Sequence, residues 1–406
     1  MLIRGGDVFD GARMQRADVA IRDGRIAEVG AGIGGHARQI LDVQGKLVTP
    51  GLVDLHTHVH PGATHWGIDP DPVAWYSGVT TWVDAGSAGA YTIDSLLAGR
   101  RRVRIALLLN ISAVGLTGAR GESRDLANCD PELAAETLRR HPDIRGVKVR
   151  MDRHSVGGNG VEPLRRAVEA AGPRPVMVHI GAPPPSLDDI VGLLRKGDII
   201  THCASGQAAG RNRLHPAAIH GYQKGFIFDI GHGAGSFAFD VAQAQLEAGM
   251  PPHTISTDLH QLCLHGPVFD LPTTMAKLLA LGMGLPEVLA AVTSNPARAL
   301  GLDAGTLAPG AVADIAVFAV QEGSFPLVDV HRQVRVGRLR LRNELTLLAG
   351  KPLPPLLPEP PARWVRLTAA QREALARREA AIRELLATPL VGADGLEEQF
   401  PRDPGT

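Results

Sequence analysis

Cysteine is scarce in this chain: Cys129, Cys203 and Cys263 are odd in number and widely scattered. They exclude a disulfide framework and a paired CxxC zinc module. No uninterrupted apolar run reaches the roughly 18 residues that a membrane-spanning helix needs. The N-terminus, Met1-Leu2-Ile3-Arg4-Gly5-Gly6-Asp7, begins with strand-like sequence and shows neither the basic region nor the apolar core of a secretory leader. A cytoplasmic protein with no membrane partner is therefore expected. Aromatic residues make up only 4% of the chain, and 42 Lys plus Arg balance 42 Asp plus Glu. No basic stripe with interleaved aromatics occurs, which argues against a nucleic-acid partner.

What the chain does have is 16 histidines, several of them at the ends of strand candidates. The stretch from Thr49 to Pro61, T-P-G-L-V-D-L-H-T-H-V-H-P, sets His56 and His58 at the end of a short apolar strand. Residues two apart in a strand project to the same side, so the two imidazoles can converge on one point. That is metal-ligand spacing. Taken alone, the pair reads equally well as two strand-end histidines bonded to their neighbours.

Residues 1–50 carry short alternating segments separated by glycine turns such as Asp23-Gly24, the pattern of antiparallel β structure. From residue 51 the pattern changes, with apolar strand candidates recurring between helical stretches, as in βα units and a parallel sheet. Eight are counted: Leu52 to Thr57, Val79 to Asp84, Val103 to Asn110, Gly146 to Arg150, Val176 to Ile180, Asp198 to His202, Gly225 to Ile230, and Thr254 to Asp258. The expected fold is α/β, a (β/α)8 TIM-like barrel over residues 51–304. Residues 1–50 and 305–351 are expected to pair in one small β-sandwich beside it. A doubly wound open sheet is the alternative, but no glycine fingerprint follows the first strand. Residues 352–406 read as a proline-rich linker, a charged helix from Leu367 to Ala387 that clasps the body or a partner chain, and a tail. A homo-oligomer is compatible with that helix.

Barrel active sites are built at the C-terminal ends of the strands. Strand one ends in His56 and His58, strand four carries Lys148, strand five ends at His179, strand six at His202 and strand eight at Asp258. Core packing does not account for five strand ends that each supply a potential ligand.

Two runs carry a family likeness. Pro50-Gly51-Leu52-Val53-Asp54-Leu55-His56-Thr57-His58 resembles the strand-one signature of the amidohydrolase superfamily. Ser294-Asn295-Pro296-Ala297 followed by Gly310-Ala311-Val312-Ala313-Asp314 resembles its closing signature. Within it the chain is similar to bacterial dihydroorotase-like deacetylases, through Asp84-Ala85-Gly86-Ser87-Ala88-Gly89, Gly146-Val147-Lys148-Val149-Arg150, His179-Ile180-Gly181-Ala182-Pro183-Pro184 and Phe228-Asp229-Ile230-Gly231-His232-Gly233.

The resemblance implies a binuclear site, usually zinc. His56, His58 and Asp258 would hold one ion and His179 and His202 the other, with Lys148 bridging both in its N-carboxylated form. An ammonium has no lone pair and would repel two dications, whereas a carbamate is an anionic two-oxygen ligand. The implied reaction is hydrolysis of a small acylated substrate, an N-acetyl amino acid or an O-acetyl hydroxy acid, by attack of a bridging hydroxide. Asp258 would serve as catalytic proton shuttle. Opening of a cyclic amide of the hydantoin, dihydropyrimidine or dihydroorotate type would use the same metals, and a catalytically silent scaffold is the non-enzyme alternative. His60 stands where dihydroorotase-like enzymes commonly carry a carboxylate-binding arginine, which disfavours dihydroorotate itself. His60, His232 and Arg150 are the candidate substrate contacts, although Arg150 reads equally well as the partner of Asp152 or another acid. Asp54 is expected behind the ligands, fixing a histidine tautomer.

Overall fold

The structure, a computed structural model, describes residues 1–380 apart from 35, 65, 100, 119–120, 207–213, 358–359, 362, 370, 374 and 378. The chain opens with β1 (Leu2–Phe9), β2 (Met14–Arg22), β3 (Arg25–Gly30), β4 (Ile40–Asp42) and β5 (Leu47–Pro50). Asp23-Gly24 is the two-residue turn between β2 and β3, which pair antiparallel from Arg22 and Arg25 onward. A single residue after β5 the chain enters a second sheet, made of β6 (Leu52–Thr57), β7 (Val79–Ala85), β8 (Arg104–Asn110), β9 (Ile144–Met151), β10 (Val176–Ile180), β11 (Ile199–Thr201) and β12 (Ile227–Asp229).

These seven strands lie side by side in sequence order and pair in parallel throughout. Every residue of β6 and β7 is buried, as expected of parallel strands covered on both faces. The strands expected from the sequence are found with ends displaced by no more than two residues.

The eighth differs. Thr254 to Asp258 forms no regular ladder; Thr254 makes an isolated bridge with Asp229, and Leu259 makes one with Thr57. The reason is local, because Asp258 has φ +49° and leaves the extended region where a ladder would need it. The backbone still bonds both ways. Ile230 N–H donates to Thr254 O (3.1 Å) and His232 N–H to Ser256 O (3.2 Å), while His58 N–H donates to Leu259 O (3.0 Å) on the other side. Residues 254–259 therefore lie between the two outer strands of a sheet that curls in TIM-barrel fashion.

After helices Leu271–Ala280, Leu285–Ala291 and Ser294–Leu300, the chain returns to the first sheet with β13 (Ile315–Val328), β14 (Val334–Leu348) and β15 (Lys351–Pro352). β13 pairs antiparallel with β5, so both flanks join one eight-stranded ladder. Ile3, Val8, Val19, Val48, Ile315 and Leu347 share an apolar cluster there. Beyond β15, Trp75 Nε1 donates to Leu356 O (2.7 Å), and Gln371 Nε2 donates to Gly266 O (3.3 Å). The charged helix thus touches the loop that follows residues 254–259. Its end to Ala387 and the tail lie outside the described residues. Among the described residues no helix is long and apolar enough to cross a membrane.

Candidate metal centre

β6 sets His56 near its C-terminal end and His58 just past it, and residues 254–259 bring Asp258 beside them. Oδ1 of Asp258 lies 3.3 Å from Nε2 of His56 and 3.1 Å from Nε2 of His58. One ligand atom from each of the three side chains lies within 4.8 Å of the others, and all three residues are buried. This group is able to hold a metal ion. Nζ of Lys148, on β9, is 2.9 Å from His56 Nε2. The His202 ring packs 5.1 Å from His56 and 4.3 Å from His179, centroid to centroid. All six residues named from the strand ends are therefore gathered at one edge of the sheet.

The donor chemistry fits a cation. Nε2 of His202 and Oδ1 of Asp258 are buried and, among the described residues, have no hydrogen-bond partner, a costly state that a metal ion relieves. Nδ1 of His202 donates to Gly231 O (2.5 Å), which leaves its lone pair on Nε2. Nδ1 of His58 is bonded to Ser87 Oγ (2.9 Å), and Ser87 N–H is bonded to Asp84 (2.7 Å). Burial keeps the imidazoles neutral. It pushes His58 down to about 3 against the pull of Asp84, and His202 to about 4 against Asp258. Burial and the adjacent Lys148 charge hold His56 well below the usual histidine range, and burial with neighbouring His202 does the same for His179. Neutral imidazole is the ligating form. Burial also lowers the Lys148 amine to about 8.

The residues on the substrate side are placed less simply. Arg150 is held between Glu122 (3.4 Å) and Asp152 (3.6 Å), and its guanidinium carbon stands 5.2 Å over the Trp66 ring. Asp152 lies 3.4 Å from His179 Nε2 as well. His60 is buried, with Nε2 bonded to Ser95 Oγ (2.9 Å) and Nδ1 without a hydrogen-bond partner among the described residues. Both nitrogens of His232 are engaged: Nδ1 donates to Gly233 O (2.9 Å) and Nε2 accepts from Lys277 Nζ (2.7 Å). Asp54 does not reach an imidazole. It accepts from the backbone N–H (2.9 Å) and hydroxyl (2.6 Å) of Thr257, tying β6 to residues 254–259.

Several residues here had no role assigned from sequence. Asp84, Ser87 and Asp229 lie inside family-like runs, and their position at strand ends was the available signal. His260, also assigned no role from sequence, stacks on Trp66 (centroids 5.2 Å, 21°) with Nε2 4.0 Å from Asp258 Oδ2. Glu122, Trp66 and Lys277 gave no signal in sequence, since nothing local marks which loop or helix residue will reach the sheet edge.

An amidohydrolase family model matches residues 193–338. A deacetylase of Enterococcus faecalis is 36% identical over 365 residues, spanning 86% of this chain and 98% of that protein. The crystal structure of an adenine deaminase superposes with TM-score 0.81 at 34% identity, covering 86% of this chain and 98% of the other. The crystal structure of a dihydroorotase superposes with TM-score 0.79 at 32% identity and the same coverage. The names of these three relatives point to different substrates. Sequence, fold and the buried histidine–aspartate group thus agree: the chain is a hydrolase acting on carbon–nitrogen bonds and belongs to the amidohydrolase family.

Proposed function

We propose that the chain is a binuclear metal hydrolase that deacylates a small acylated substrate, an N-acetyl amino acid or an O-acetyl hydroxy acid. The observation that carries this reading is the buried group formed by His56, His58 and Asp258, with the Lys148 amine against His56 and the His202 ring packed beside it. In it, His56, His58 and Asp258 would hold one ion, taken as zinc, and His179 and His202 a second, with Lys148, N-carboxylated, as a further ligand. The lowered basicity of Lys148 supports the carbamate, because only a neutral amine adds carbon dioxide. Such ions, when bound, lower the pKa of water towards ~7 and polarise a carbonyl.

The chain's own groups do the rest. Asp258 takes the proton from the attacking water and hands it to the leaving nitrogen or oxygen, a role worth ~10²- to 10⁴-fold. Arg150 receives a substrate carboxylate, exchanging part of its contact with Glu122 and Asp152. His60 offers its unpaired Nδ1. His232, with both nitrogens taken, contributes through the turn it holds. The deacetylase name of the Enterococcus relative supports acyl removal. Ring opening of a cyclic amide is the second reading, favoured by the dihydroorotase structure, with histidine at position 60 disfavouring dihydroorotate itself among such substrates. The same reading divides the chain into a closed (β/α)8 barrel over 51–304, a β-sandwich from 1–50 and 305–351, and an appendage over 352–406.

The test combines metal analysis with a substrate screen of N-acetyl-D and N-acetyl-L amino acids, acetylated hydroxy acids and cyclic ureides. Two ions per chain with turnover of an acyclic acetyl compound is expected. Turnover of cyclic ureides alone would favour the second reading, and a chain that takes up no metal would be a scaffold.

A further inference from the structure

The hydroxyl of Thr201, the last residue of β11, stands between His56 and Asp229. Thr201 Oγ1 donates to Asp229 Oδ2 at 2.7 Å. The same oxygen is 2.7 Å from Nδ1 of His56. A hydroxyl that has given its single proton can only accept from its other partner, so Nδ1 of His56 carries hydrogen. The lone pair of the neutral ring then lies on Nε2, the atom that faces Lys148 and Asp258.

Asp229 is anchored for this task. Besides Thr201 it accepts from Ser256 Oγ on Oδ2 (2.7 Å) and from Thr254 Oγ1 on Oδ1 (2.8 Å). All four residues are buried. With Ser256 and Thr254 fixing the carboxylate from residues 254–259, Thr201 has one direction in which to donate. The backbone closes the other side. A Cβ at Gly231 would stand 2.2 Å from Thr201 Oγ1, so only glycine lets the chain pass there, and its φ of +47° suits glycine as well.

We propose that Thr201, anchored by Asp229, is a positioning residue that sets the tautomer of His56 and aims its Nε2 lone pair at the metal site. The inference rests on the metal-site reading above. Outer partners of this kind typically change metal affinity 10- to 100-fold.

The experiment is a chelator-competition titration of the whole chain with Zn²⁺ alone, comparing wild type, Thr201→Val and Thr201→Ser. The valine variant keeps the shape and loses the relay; its zinc affinity should fall about 10- to 100-fold. Serine keeps the hydroxyl and should restore near-wild-type affinity. Wild-type affinity in Thr201→Val, or no rescue by serine, overturns the proposal. Should the valine variant fail to fold, ¹⁵N-histidine NMR of the metal-free wild type decides, with the His56 signal identified by its loss in His56→Gln. Hydrogen on Nδ1 supports the relay and hydrogen on Nε2 overturns it. A wild type that binds no zinc contradicts the metal reading instead, and the tautomer still judges the relay.

Discussion

The amine of Lys148 lies 2.9 Å from Nε2 of His56, with both side chains buried. Two bases thus share a site that also contains Oδ1 of Asp258, which accepts no hydrogen bond among the described residues. As an ammonium, Lys148 would occupy the lone pair that His56 needs for a metal. As a carbamate it adds a two-oxygen anionic group and frees that lone pair. Lys148→Ala should therefore lose most zinc and activity, and a short-chain carboxylate added at high concentration should restore part of both. Metal content and turnover with and without propionate measure this; an unimpaired alanine variant would contradict the bridging role.

Asp258 sits at φ +49°, a region that asparagine tolerates well among non-glycine residues. Asp258→Asn should consequently fold normally, retain much of its zinc and lose ~10²- to 10⁴-fold in kcat. Steady-state kinetics beside metal analysis check this. Near-normal turnover would remove Asp258 from proton transfer.

Gly233 supports the same aspartate. A Cβ there would stand 2.4 Å from Asp258 Oδ2, and φ is +53°. Gly233→Ala should cost about 1–2 kcal/mol of stability from the left-handed backbone alone. It should also lower kcat by displacing the carboxylate. Gly235→Ala, where a Cβ meets nothing within 4 Å, is the control and should leave kcat unchanged. Equal behaviour of the two in turnover would show that Asp258 does not depend on this turn.

Lys277 offers a pH signature away from the metal ligands. Burial pushes its amine down to about 7, against the pull of Asp329, while it donates to His232 and to Pro267 O. An unfolded lysine keeps its proton to about 10.4. Between pH ~7 and ~10 the unfolded chain therefore binds more protons, and this group makes stability rise with pH. The slope from one proton is at most about 1.4 kcal/mol per pH unit. Urea unfolding of wild type and Lys277→Met across that window should give a difference that grows with pH; a flat difference would contradict the buried ammonium.

Much of this was legible in the sequence because period-two alternation and strand ends are local signals. His56, His58, His179, His202 and Asp258 each announce themselves by lying where an apolar run stops, and Lys148 by standing as a cation inside one. What was hidden depends on register between strands far apart in sequence. Thr201 meets Asp229 and His56 only because β11 pairs with β12 in the register Thr201↔Asp229. Asp54 was expected to orient an imidazole and instead grips Thr257, 203 residues away. The eighth strand was expected as a regular ladder, and the positive φ of Asp258 breaks it into two bridges. Arg150 was ambiguous in sequence for a physical reason: its acidic partner Glu122 comes from a loop whose path no periodicity encodes.

The central claim is that these six side chains hold two metal ions. Anomalous diffraction at the zinc edge from crystals of the metal-loaded protein tests it most directly. The account predicts two peaks, one bounded by His56, His58 and Asp258 and one by His179 and His202, with added density on the Lys148 nitrogen between them. A single peak beside an unmodified lysine, or no peak at this edge of the sheet, would contradict it.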